Sequence, residues 1–228
     1  TTTATTKNLE TLSFSVSGAG ATTVDLANST GYTKVINTAS AAALTVSNIT
    51  APTTVLEVSN TSQDTTFTFT TASVSGTADA ATVNVKNVSN GGTTAISVAG
   101  IETLTLNSTG GVNAFQTITD SSLTKLVVTG DQNLTLGAAL ATTVTNVDAS
   151  ALTAGLTATL GAVAAATISG GTGNDALTFS SVTGNVSVNA GAGNDTLTDA
   201  TNLTVTDSIN GGDGIDTLST TAALAEGY

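Results

Sequence analysis

Three short stretches place glycines just ahead of a carboxylate: "GGTGNDALT" from Gly170, "AGAGNDTLT" from Ala190 and "GGDGIDTLS" from Gly211. The recurring residues are Gly170, Gly171, Gly173 and Asp175; Ala190, Gly191, Gly193 and Asp195; and Gly211, Gly212, Gly214 and Asp216. Glycine lets the backbone adopt conformations that a side chain forbids, so carbonyl oxygens can be turned toward a common centre. The aspartate adds a carboxylate oxygen to those carbonyls. Neutral and charged oxygens together form the donor set that a hard cation such as calcium selects.

The elements that hold these turns show in the spacing. The apolar residues two positions before each motif are Ile168, Val188 and Ile209, at steps of 20 and 21. The same spacing walked backwards meets Val147, Val128, Leu106 and Val85, and then Val58, Ile36 and Val16, with one longer interval of 27 between Val58 and Val85. Around these positions, "LETLSFSVSG", "IETLTLNSTG" and "LTKLVVTG" alternate apolar with polar residues, the period of a strand. An all-β fold is expected: a β-solenoid, or parallel β-helix, of about ten rungs of roughly 20 residues. Val128, Val147, Ile168, Val188 and Ile209 should stack in one inward column. "TASVSGTADAA" (71–81) should bulge from a rung as a loop, which accounts for the longer interval. Stacked at the strand spacing of about 4.8 Å, the glycine turns would set Asp175, Asp195 and Asp216 in a column along one edge. Three turns enclose two cation sites. The spacing leaves two alternatives, chance periodicity in a Thr/Val/Ala-rich chain and a β-sandwich over residues 1–110. "AALATTV" and "GAVAAAT" favour short helices by propensity, but are taken as strands and turns of a narrow core where only alanine fits.

Composition narrows the function classes. The chain has 228 residues, a formal net charge of -12, four lysines, no arginine and no cysteine. So acidic a chain cannot displace counterions from a phosphate backbone, so no nucleic-acid partner is expected. Without disulfides, stacking or metal must supply the staples. No apolar run approaches the length of a membrane span, so no membrane insertion is expected. The chain begins TTTATT and is expected to be a mature fragment of something longer. With no histidine and no cysteine, Ser-His-Asp triads, thiol nucleophiles and His-ligated zinc are ruled out. A carboxylate pair remains in principle, but only Tyr32, Tyr228 and five phenylalanines could line a sugar site. No enzyme is expected.

The three nonapeptides resemble the calcium-binding repeat of RTX proteins, G-G-x-G-x-D followed by a hydrophobe. Leu177 and Leu218 stand at the hydrophobe position, and Ala190 is the one departure in the middle copy. The opposite edge, "SSVTGN" and "DATNLTVT", lacks the motif, which halves the sites per rung relative to tandem blocks. Upstream, "GIETLTLNSTG", "LVVTGDQNLTL" and "VTNVDASALTAG" running into "ISGGTGNDALT" resemble the long calcium-binding region of RTX-type surface-layer proteins of Gram-negative bacteria. That likeness covers residues 95–220 by motif and 1–94 by composition. It implies an RTX β-roll with non-RTX rungs over 1–148 and calcium-binding rungs over 149–228. It further implies type I secretion to the extracellular cell surface, Ca2+ as cofactor, and self-association into a two-dimensional lattice. The cell-surface polysaccharide layer would be reached through other domains. Two other readings share these features: an RTX repeat adhesin, and the calcium-folded tail of a type I-secreted hydrolase. Asp131, Asp148 and Asp213 lie near the same edge and are either calcium ligands or solvated turn residues.

Overall fold

The structure, a computed structural model, describes residues 1–88, 94–199 and 203–220. Threonine, valine, leucine and isoleucine alternate along the chain, and the β-branched residues suit a pleated surface whose one face is buried. In Thr103–Thr109, for example, Leu104, Leu106 and Ser108 point inward while Thr103, Thr105, Asn107 and Thr109 are half-exposed. Every strand pairing is parallel. The result is a β-solenoid of about ten turns set about 22 residues apart, slightly longer than the spacing of the glycine motifs alone. The expected β-sandwich alternative for residues 1–110 is thereby excluded.

One ten-stranded sheet runs the length of the molecule. Its strands are Thr11–Phe14, Lys34–Thr38, Val55–Ser59, Ala80–Lys86, Thr103–Thr109, Lys125–Gly130, Asn146–Leu152, Ala166–Ser169, Val186–Asn189 and Ser208–Asn210. Two six-stranded sheets flank it in succession. The first flank extends from Thr2–Thr3 to Thr117–Thr119 and the second from Asn113–Phe115 to Thr217–Thr220. They exchange within a single rung, which carries both Asn113–Phe115 and Thr117–Thr119. The fully buried Phe115 lies at that exchange. The expected boundary at 148/149 falls inside the strand Asn146–Leu152, so the long sheet passes through it unbroken.

Register confirms most of the expected inward column and corrects one member. Val147, Ile168, Val188 and Ile209 pair in sequence. The residue opposite Val147 in the preceding rung is Leu126, not Val128. Val128 continues the neighbouring column, behind Leu106, Val83 and Leu56. The cause is a step of 21 to Leu126 and a register shift between Val127 and Thr129, which a uniform count of 19 or 20 passes over. Further back, Ile36 stands opposite Glu57 on the outer face, whereas Val58 does pair with Val85 across the longer interval. That interval holds a 3-10 turn, Thr71–Val74, ahead of the strand that begins at Ala80. Neither alanine-rich stretch is helical: residues 138–145 form turns and coil, and residues 161–165 lead into the strand Ala166–Ser169. Of the alanines in these two stretches only Ala166 is buried, while Ala138, Ala139, Ala141, Ala162, Ala164 and Ala165 are partly or fully exposed, so the expected narrow core that admits only alanine is not found there.

Candidate metal-binding edge

The three glycine turns occupy one corner, between the long sheet and the second flank. Each begins where a long-sheet strand ends, at Ser169, Asn189 or Asn210, and leads into Ala176–Thr178, Thr196–Asp199 or Thr217–Thr220. Ala176, Thr196 and Thr217 are in register, so the aspartates just before them stack as expected. Backbone bonds knit the turns together. The Ala192 amide donates to the Gly171 carbonyl at 3.0 Å, and the Asp213 amide donates to the Gly191 carbonyl at 2.9 Å. Close approach explains the glycines. Gly212 has φ of +93°, and a side chain there would run into the carbonyl of Gly191 in the rung before.

The carboxylates form a ladder that the motif spacing alone does not reveal. Each Oδ1 accepts the backbone amide of the equivalent residue one rung earlier. Leu156 donates to Asp175 at 2.6 Å, Asp175 to Asp195 at 2.8 Å and Asp195 to Asp216 at 3.0 Å. A second ladder runs beside it in the opposite sense. Asn133 Oδ1 accepts from Gly155 at 2.9 Å, Asn174 from Asn194 at 2.8 Å and Asn194 from Ile215 at 2.9 Å. The carboxylates are therefore held apart by interposed amides. Hydrogen bonds to a charged acceptor are worth about 1.5–3 kcal/mol each, which offsets part of the cost of stacking like charges.

The middle turn differs from the first. Asp175 uses its second oxygen as well: Oδ2 accepts from the Gly171 amide at 3.0 Å. Asp195 is 1% exposed, and its Oδ2 is buried with no hydrogen-bond partner. The difference coincides with the one departure from the motif. In the first and third turns, the leading glycines Gly170 and Gly211 lie directly against the aspartate Oδ2. In the middle turn that position carries the methyl group of Ala190. The left-handed φ of +106° at Gly191 is shared by Gly212 of the third turn and so does not follow from the alanine. Burial pushes the Asp195 carboxyl above the ordinary carboxylate range; the Asp175 amide opposes the shift and the charge of Asp216 adds to it. Burial also raises Asp175, against the amides of Leu156 and Gly171 and with the charge of Asp195.

Among the described residues no three acidic side chains converge, so carboxylates alone make no metal cluster. A cation here would have to draw on turn carbonyls, which retain a lone pair after accepting one amide. An all-oxygen set with a buried, unpartnered carboxylate oxygen fits a hard cation, and no nitrogen or sulfur donor is present to favour a softer one. Gly170, Gly171, Gly173, Gly191, Gly193, Gly212 and Gly214 all face carbonyl or amide atoms of an adjacent rung, which leaves no room for a side chain between the stacked turns.

The other acidic residues near this edge have local roles. Asp148 accepts from Ser150 Oγ at 2.7 Å and pairs with Lys125 at 3.3 Å, and the Ser150 bond chiefly holds it below the usual carboxylate range. Asp131 and Asp213 are exposed. Elsewhere, Asp64, Asp120 and Asp207 cap the amides of Ala95, Ile101 and Val186 in adjacent rungs. Much of the acidity thus serves as rung-to-rung stapling. The Asn-Asp pair in two of the three motifs was the visible trace of the twin ladders. Compared with known proteins, the chain matches no family model, no curated protein and no solved structure.

Proposed function

We propose that this chain is a calcium-binding structural segment of a secreted surface-layer protein, one that assembles into a protective two-dimensional lattice on a Gram-negative cell. The observation that carries the calcium part is the buried Asp195 carboxylate, with an unpartnered oxygen, stacked between two further carboxylates. Calcium would neutralise that column and tie adjacent turns. Asp175, Asp195 and Asp216 supply the charge, and the carbonyls of the glycine turns supply the neutral oxygens. Two ions are expected, one between each pair of successive turns.

The lattice part rests on the resemblance of the motifs and on architecture. A parallel solenoid is a stiff body with regular outer faces, and an acidic surface keeps copies apart until divalent ions bridge them. Adding millimolar calcium to the full-length protein and imaging the product tests the assignment. Two-dimensional crystalline sheets are the expected outcome. A calcium-loaded protein that stays monomeric and binds a glycan would favour the adhesin reading. Calorimetry that finds no calcium binding would remove both.

A further inference from the structure

We infer that the side-chain nitrogen of Asn113 holds the place of a cation at this corner, so that the column of the glycine turns continues upstream into a rung that closes without metal. The inference rests on the cation reading of the acidic turns and extends it to a rung that has no carboxylate there. Asn113 belongs to the same column. It pairs with Leu134, which pairs with Leu156, and the Leu156 amide donates to Asp175. The turn ahead of it has the same length and a similar plan: "STGGVN" (108–113) beside "GGTGND" (170–175). Asn113 also makes the same first contact. Its Oδ1 accepts the Val88 amide at 2.8 Å, one rung earlier, as Asp175, Asp195 and Asp216 accept theirs.

The second arm of the side chain is where they part. Asn113 is fully buried, and its Nδ2 donates to Ser108 Oγ at 2.9 Å, to the Thr109 carbonyl at 3.1 Å and to the Val85 carbonyl at 3.2 Å. Ser108 and Val85 are in register on adjacent strands, so these oxygens come from both sides of one gap between rungs. Two amide protons therefore serve three acceptors. Three uncharged oxygens gathered on one electropositive group are the neutral half of a hard-cation site. The acidic turns invert the arrangement. A carboxylate has no proton to give, and Gly170, Ala190 and Gly211 stand where Ser108 does, without its hydroxyl. Asp175 takes up the Gly171 amide instead, and Asp195 Oδ2 finds no partner. What the amide nitrogen supplies at position 113 comes from outside the chain at position 195.

Changing this one group should change the behaviour of its rung. The variant N113D keeps the Oδ1 acceptor and the shape, and sets a carboxylate oxygen against the same three oxygens. In chelator its unfolding constant should rise about tenfold or more, as expected when buried acceptors lose their donor. Calcium at a hundredfold above its dissociation constant should then lower that constant about a hundredfold beyond any change in the parent. Calorimetry should count one more ion on N113D than on the parent. N113A, which removes both arms, should be destabilised alike in chelator and in calcium. An N113D protein that is equally destabilised in both, that stays unfolded in millimolar calcium, or that binds no additional ion would overturn the inference. The parent's own count separates this test from the reading it rests on. An ion on N113D with none on the parent removes the cation from the acidic turns and keeps the Asn113 site; ions on the parent with no gain on N113D do the reverse. In the unaltered chain, the Asn113 side-chain amide protons should exchange slowly in chelator and calcium alike, and fast exchange would refute the inference.

Discussion

The same long sheet turns its corner in two different ways. In the N-terminal rungs the strands end in single left-handed residues: Ala39, Asn60, Asn87 and Gly110 follow one another at equivalent positions, with φ between 50° and 82°. Asn87 Nδ2 donates to Asn60 Oδ1 at 3.0 Å, so the corner is stacked by neutral amides. In the C-terminal rungs the corner is a six-residue glycine turn that buries Asp175 and Asp195. The neutral corner is self-sufficient because an amide carries both donor and acceptor. The acidic corner leaves one carboxylate oxygen, Asp195 Oδ2, unpartnered and stacks like charges. The comparison separates a corner whose polar groups satisfy one another from one whose charge is left partly uncompensated.

The largest effects should come from the core, and they sharpen the contrast. Leu106→Ala in the N-terminal half and Leu177→Ala behind the first glycine turn both truncate fully buried side chains, at a cost of about 2–5 kcal/mol each. Denaturant unfolding should show that millimolar calcium recovers part of the loss for Leu177→Ala and none for Leu106→Ala. Calcium itself comes next. At a concentration a hundredfold above its dissociation constant each ion stabilises by about 2.7 kcal/mol. Hydrogen exchange should place that gain in residues 166–220 and leave residues 1–119 unchanged. Protection that rises evenly along the solenoid would break the comparison.

A smaller effect isolates the charge. Asp195→Asn keeps an oxygen to accept the Asp175 amide but removes the buried negative charge. Without calcium the variant should be more stable than the parent by about 1 kcal/mol, the scale of one shifted carboxylate, and it should lose most of the calcium response. Asp216→Asn should lose less, because Asp216 is partly exposed and borders only one of the two proposed sites. Thermal melts with and without chelator read both.

The smallest effect is the sign of the pH response. Asp175 and Asp195 have raised folded values, so the metal-free C-terminal rungs bind more protons than the unfolded chain does. Their stability should fall as pH rises through the raised values and should recover as pH drops toward the ordinary 3.8. Asp25 and Asp148 are lowered, by Asn48 and Ser150 respectively, and give the opposite sign. Their contribution is present above 3.8 and lost as pH falls through the lowered values. Regional hydrogen exchange in chelator, followed as pH falls from about 7 toward the ordinary 3.8, should show the C-terminal rungs gaining protection on acidification. A loss there would contradict the assignment.

Period-2 alternation and recurrence at about 20 residues pointed to parallel rungs, because a stacked repeat buries its apolar face only against a copy of itself, but they left a β-sandwich open over residues 1–110. The same recurrence placed the three aspartates in one column, since a motif repeated once per rung must return to the same corner. Uniform counting failed at Val128, because the partner of Val147 is Leu126, ahead of a register shift between Val127 and Thr129 that leaves no mark in composition. The sequence also could not show that the flank changes from one sheet to another at residues 113–119, which depends on how each rung meets its neighbours. The meaning of Ala190 was equally hidden. As a letter it is a minor departure from glycine; in the stacked turn its methyl group takes the place against which the other aspartates rest. Local pattern sets the repeat and its donor atoms. Only the contact between rungs decides which of those atoms find partners, because the Oδ1 atoms of Asp175, Asp195 and Asp216 each take an amide about one full turn away, while Asp195 Oδ2 finds none.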